Sequence, residues 1–103
     1  MRLVKIWMLL PLLASLVAGC AGDVQEKDFT ASWSAEELYN KARSYLLDGG
    51  FTVAVDHYEK LIARYPYGAY AEQARMDLAY AYFSDGQPEA ALDAIDRFTK
   101  LYP

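Results

Sequence analysis

The chain has 103 residues, a formal net charge of −4, and 54% hydrophobic against 23% charged residues. That balance excludes a disordered polyelectrolyte and leaves room for one small domain or a short array. Acidic residues outnumber basic ones and no basic face emerges, which argues against a nucleic-acid partner, and the single cysteine, Cys20, has no partner for an internal disulfide.

Residues 1–19 read as a targeting leader. Arg2 and Lys5 make a basic start, and Ile6 to Ala18 is apolar apart from Pro11 and Ser15. Such a stretch is too short to span a bilayer and suits the core of a signal peptide. It runs into Val17-Ala18-Gly19-Cys20, which resembles the lipobox of bacterial lipoproteins. The resemblance implies a diacylglyceryl group on the Cys20 sulfur, cleavage before it, and acylation of the new amino terminus. Ala21 stands where an Asp would hold such a lipoprotein at the inner membrane. The implied location is therefore the periplasmic face of the outer membrane. Residues 20–33 read as a lipidated, flexible tether, because Ala21 to Ser32 is polar and mixed in charge.

Ser34 and Glu37 form an S-x-x-E capping box, with Trp33 and Leu38 at the staple positions. A first helix is predicted from Ala35 to just before Gly49-Gly50, with Leu38, Ala42, Tyr45 and Leu46 inward. A second carries the stripe Ala54, Val55, Tyr58, Leu61, Ile62 and Tyr65. It ends at Pro66, since the residue before a proline is pushed out of the helical region. Tyr65-Pro66-Tyr67-Gly68 suits a type I turn. A third helix is predicted from about Tyr70 to Ser84, with Ala71, Ala74, Leu78, Ala79 and Tyr82 inward and Gly86 beyond its end. Pro88 opens a fourth, at a position where its missing N–H costs nothing. Its stripe is Ala91, Leu92, Ile95, Phe98 and Tyr102. No strand pattern of useful length is present.

Ala42 to Pro66 aligns with Ala79 to Pro103 without a gap, at an offset of 37, and eight of the 25 positions are identical. A repeated helix-turn-helix unit is a solenoid, and solenoids bind other proteins. The pattern resembles the tetratricopeptide repeat, with small residues where helices cross closely and large ones beside them. With Pro66 at the family's closing proline, Leu38, Ala42, Tyr45, Gly49, Ala54, Tyr58 and Leu61 occupy signature positions. With Pro103 there, Leu78, Ala79, Tyr82, Gly86, Ala91, Ile95 and Phe98 do so. Arg75 departs, standing where the family prefers a large apolar residue. The expected fold is all-α, a tetratricopeptide-repeat α-solenoid of two helix-turn-helix repeats, residues 34–68 and 69–103. The array is expected to be truncated, because Phe98, Leu101 and Tyr102 lack a following helix.

The family register implies a concave groove lined by Tyr39, Asn40 and Arg43 from the first helix. Gln73, Asp77 and Tyr80 from the third face them, with Met76 beside them. Tyr65, Tyr67 and Tyr70 in the link extend this surface, Tyr65 also anchoring the turn. Aromatic platforms with paired polar groups suit an extended peptide or a partner's loop.

Three runs carry a closer match, the first and the third of them specific: Arg64-Tyr65-Pro66-Tyr67-Gly68-Ala69-Tyr70, Leu78-Ala79-Tyr80-Ala81-Tyr82-Phe83 and Ala94-Ile95-Asp96-Arg97-Phe98. They resemble the BamD (ComL) family of outer-membrane β-barrel assembly lipoproteins. That resemblance implies a non-enzymatic scaffold that binds unfolded outer-membrane proteins, a companion lipoprotein and the barrel subunit of the assembly machine. In that family the amino-terminal repeats face substrate and the companion lipoprotein, while later repeats hold the barrel subunit.

An enzyme is the rival class. The single histidine, His57, has Asp56 beside it but no serine or cysteine nucleophile in a plausible arrangement, and reads as a solvated side chain on a helix surface. Asp56, Glu59, Asp93 and Asp96 recur at repeat spacing and read as solvated faces. No metal or phosphate motif is present, so no cofactor is expected. The other alternative is a different tetratricopeptide lipoprotein, such as a pilotin of a secretion or pilus ring.

Overall fold

The computed structural model describes residues 28–103. The leader, Cys20 and the first part of the tether lie outside the described residues. Four helices follow one another: α1 (Ala35–Leu47), α2 (Phe51–Arg64), α3 (Ala71–Ser84) and α4 (Pro88–Leu101). Each packs on the next, and α1 also touches α3.

The predicted caps set the helix ends. The Ser34 hydroxyl accepts from the Glu37 N–H at 3.1 Å, satisfying one of the orphan donors at the start of α1. Trp33 packs against the core cluster that contains Leu38, as a staple requires. The ends of α1 and α3 are built alike. Gly49 and Gly86 adopt left-handed backbone, φ 82° and 75°. The N–H of Gly50 then reaches the Tyr45 carbonyl at 2.8 Å, and that of Gln87 reaches the Tyr82 carbonyl at 2.9 Å. Both are Schellman closures, in which a glycine reverses the chain without Cβ strain. The recurring Asp-Gly pair at 48–49 and 85–86 therefore encodes the same turn twice.

The core is built from Leu38 and Ala42 of α1, Ala54, Val55, Tyr58 and Leu61 of α2, and Ala74, Leu78 and Ala81 of α3. The alanines let helix backbones approach, and Tyr58, Leu38 and Leu61 are the largest side chains fully removed from water. Ala81 belongs to this core although the predicted stripe omitted it. Two predicted stripes need correction. Tyr65 is exposed rather than inward, its hydroxyl donating to the Trp33 carbonyl at 2.9 Å. On α4 only Ala91 is buried, while Leu92 and Ile95 remain 67% and 49% exposed. These two occupy the repeat positions of Val55 and Tyr58, which α1 and α3 cover.

His57 is also corrected. It is buried, not solvated: its ring stands 5.9 Å from Trp33 and 5.4 Å from Tyr45, and Nδ1 donates to the Val53 carbonyl at 2.8 Å. The end of the tether is corrected too. Residues 28–33 form a strap folded against α2 rather than a free linker. Thr30 is buried. Arg64 donates to the Thr30 carbonyl at 2.6 Å and pairs with Asp28 at 2.6 Å, and Lys60 lies 3.6 Å from Asp28. Asp28 in turn accepts from the hydroxyl and N–H of Thr30 at 2.6 and 2.9 Å.

Those contacts pull the Asp28 carboxyl from 3.8 down to about 2, the Thr30 hydroxyl first, then its N–H, with Lys60 and Arg64 adding charge. A carboxyl whose folded pKa lies below its unfolded one contributes fully above the unfolded value and loses that contribution as pH falls through the folded one. The strap should therefore hold at neutral pH and release between about pH 4 and pH 2. The Thr30 amide resonance should titrate near the lower limit in the full chain and lose this titration in Asp28→Asn. A midpoint near the free-carboxyl value would show that the clasp does not form.

Core and outer stripe should respond differently to truncation. Leu61→Ala should cost about 2–5 kcal/mol in urea unfolding, whereas Leu92→Ala should stay within about 0.5 kcal/mol. Equal costs would mean that the outer stripe of α4 is covered in solution.

Candidate groove between the first and third helices

Spacing along α1 and α3 creates the site. Tyr39 and Arg43 are four residues apart on α1, and Gln73 and Asp77 are four apart on α3, so each pair shares one helix face. Tyr70 stands at the N-cap of α3. The α1–α3 contact brings the faces together, with Tyr58 of α2 beneath them. The Tyr39 ring lies 5.2 Å from Tyr70, tilted by 38°, and 6.3 Å from Tyr58, nearly edge-on at 65°. These separations fall within the favourable range for aromatic pairs.

The polar half centres on Asp77. The Tyr58 hydroxyl donates to its Oδ2 at 3.1 Å, and Gln73 Nε2 donates to its Oδ1 at 2.9 Å. Arg43 Nη1 lies 3.9 Å from the same Oδ2. Side-chain exposure is 50% for Arg43 and 13% for Asp77. Burial, and after it the negative charge of Asp77, pushes the Tyr58 phenol well above its usual value, so it remains a donor. The groove thus presents an aromatic shelf beside a half-exposed guanidinium, above a carboxylate that is already coordinated.

Of the residues predicted for the site, the structure brings Tyr39, Arg43, Tyr70, Gln73 and Asp77 together. Tyr80 lies one turn further along α3. It borders a hollow of about 620 Å³ over α3 and α4, with Met76, Phe83, Leu92 and Ile95. Three residues stand apart. Asn40 faces a shallow surface with Trp33, Glu37 and Lys41. Tyr65 is tied to the strap, and Tyr67 is 87% exposed in the link. Tyr58 was legible as core, but its hydroxyl contact with Asp77 was not. The signal available was a tyrosine, rather than an aliphatic residue, at a core position that faces a predicted groove carboxylate.

Among the described residues, no group of three or more His, Cys, Asp or Glu side chains is placed to hold a metal ion, and no helix is long and apolar enough to cross a membrane.

Paired helices that pack in sequence, with alanines at the crossings, define a tetratricopeptide-repeat protein. The family model described as tetratricopeptide repeat matches residues 26–103, and the chain belongs to that family. Within it, the chain is similar to the outer membrane protein assembly factor BamD of Neisseria meningitidis serogroup B, 40% identical over 101 residues, 96% of this chain and 38% of that protein. The outer membrane protein assembly factor BamD of Xylella fastidiosa is 38% identical over 100 residues, 95% of this chain and 34% of its own length. That of Vibrio cholerae is 38% identical over 92 residues, 89% of this chain and 37% of its own length. The chain therefore spans under two fifths of these relatives. The resemblance carried by the three sequence runs is borne out.

Proposed function

We propose that the chain is part of a lipid-anchored scaffold for outer-membrane β-barrel assembly, held at the periplasmic face of the outer membrane through Cys20. Its groove receives an extended segment of an unfolded outer-membrane protein. The barrel subunit and a companion lipoprotein of the assembly machine are its partners. The observation that carries this reading is the Tyr39–Tyr70 shelf, 5.2 Å between ring centres, beside the half-exposed Arg43. Flat apolar rings hold side chains of an extended segment, and a guanidinium bonds backbone carbonyls or a carboxylate. Tyr80 lies one turn further along α3, and Tyr67 stands exposed in the link before Tyr70. The names of the similar proteins favour this role over that of a pilotin.

Photoreactive side chains at Arg43, Tyr67 and Tyr80 should crosslink a peptide taken from the terminal β-strand of an outer-membrane protein. Positions Glu89 and Asp96 of α4 serve as controls and should stay unlabelled. Equal labelling of both sets, or none in the groove, would refute the peptide-groove reading and favour the companion lipoprotein as occupant.

Cys20 lies outside the described residues, and its role rests on the basic start, the apolar run and the small residues before it. Several acyl chains would make a durable anchor, at roughly 0.8 kcal/mol per buried CH₂. Cys20→Ala should accumulate as an uncleaved precursor without lipid. A variant still processed, and still membrane-bound after salt and alkaline washing, would rule out lipidation at this site.

A further inference from the structure

Building on the groove reading above, we infer that Tyr58, although buried, determines the charge selectivity of the groove by holding Asp77 away from Arg43, leaving Arg43 free for a ligand carboxylate. Two donors approach the same oxygen. The Tyr58 hydroxyl is bonded to Asp77 Oδ2 at 3.1 Å, whereas Arg43 Nη1 stops at 3.9 Å from it, beyond hydrogen-bond reach. Gln73 occupies the other oxygen at 2.9 Å. Asp77 is thus coordinated from within the protein on both oxygens, and its side chain is only 13% exposed. It is an internal counter-charge, not a contact offered to the ligand. Arg43 keeps its N–H fork unspent, with half of its side chain in water.

This arrangement has a sign. Take away the Tyr58 hydroxyl and Oδ2 is left facing the Arg43 guanidinium at 3.9 Å. The carboxylate then swings to form a bonded pair, which is the preferred geometry for these two groups. The guanidinium fork is then spent on Asp77 and no longer open to a ligand. Anionic segments lose their partner, while neutral aromatic segments keep the Tyr39–Tyr70 shelf. Tyr58 touches no ligand and is a positioning residue. The occupant selected is an extended segment carrying an acidic group next to an aromatic side chain.

The test uses the full chain in detergent and two capped pentapeptides, acetyl-Ala-Phe-Glu-Phe-Ala-amide and its counterpart with glutamine in place of glutamate. The wild type should bind the glutamate peptide more tightly. Tyr58→Phe preserves the ring in the core and should weaken the glutamate peptide by about tenfold, the scale of one charge-assisted hydrogen bond, with the glutamine peptide unchanged. Asp77→Asn should tighten the glutamate peptide, since an amide cannot neutralise Arg43. Adding Asp77→Asn to Tyr58→Phe should restore the glutamate preference, an effect that general loosening of the core would not produce. Binding of neither peptide by the wild type would remove the groove reading and this inference with it. Tighter wild-type binding of the glutamate peptide, with a preference unaltered in both single variants, would leave the groove standing and overturn the role of Tyr58. Weaker binding of both peptides in Asp77→Asn would also overturn it, by making Asp77 a ligand contact.

Discussion

A phenol carried into a helical core must find an acceptor there, because a buried hydroxyl without one costs about 1–3 kcal/mol. Tyr58 is fully buried among Leu38, Leu61 and the alanines, and its acceptor is Asp77 on the next helix. Its ring also stands edge-on to Tyr39 of α1. One side chain of α2 therefore connects to both walls of the groove. The hydrophobic packing that stabilises the array is the same packing that fixes where its polar groups point. The groove cannot be altered at Asp77 without a consequence in the core, nor the core at Tyr58 without one in the groove.

The two repeats share their local chemistry and differ in their neighbours. Both first helices end in the same glycine closure, and Thr52 at the start of α2 reaches back to Asp85 at the end of α3 at 2.7 Å, so the repeats are stitched at their turns. Yet Tyr58 is fully buried while its repeat counterpart Ile95 is half exposed. The difference owes nothing to hydrophobicity. A middle helix of a solenoid is covered from both sides, whereas α4 among the described residues is covered only by α3. Apolar patterning specifies which face of a helix seeks a partner, and position in the array decides whether one is there.

That distinction explains what was legible in the sequence. Caps, glycine closures, Pro88 and the small residues at crossings are local signals, and the ends they predicted for the first and third helices and the start of the fourth lie within a residue of those observed. Tyr39, Arg43, Gln73 and Asp77 were placed by repeat register, and they do converge. Burial that depends on a third element was not legible. His57 looked solvated because its own helix neighbours include Asp56 and Lys60, but Trp33 and Tyr45 close over it. The strap looked like a free linker because Asp28 and Thr30 are polar. Their partner, Arg64, lies more than thirty residues away. Tyr65 fitted a helical stripe by spacing, yet it follows the last residue of α2 and turns its hydroxyl to the strap.

The distribution of charge pairs separates surface from architecture. Asp56–Lys60, Asp93–Arg97 and Asp96–Lys100 each lie four residues apart on one helix. Pairs of that kind are exposed to water and screened by salt, and they leave the fold much as it would be without them. Among the described residues, the opposite charges that meet between different elements are Asp28 with Arg64 and Lys60, and, without a hydrogen bond, Arg43 with Asp77 at 3.9 Å. The first group holds the strap to the end of α2, next to the link. The second lies in the groove. Residues Arg64 and Tyr65 grip the strap at Asp28–Thr30 and at Trp33, so one of the runs that carry the family resemblance also ties the strap to the fold. Beyond Tyr65 the same run supplies the exposed Tyr67 and then Tyr70, half of the aromatic shelf. One continuous segment thus runs from the strap's attachment to the groove, and its alternation of tied and free aromatic residues follows from which of them has an acceptor or a ring within reach.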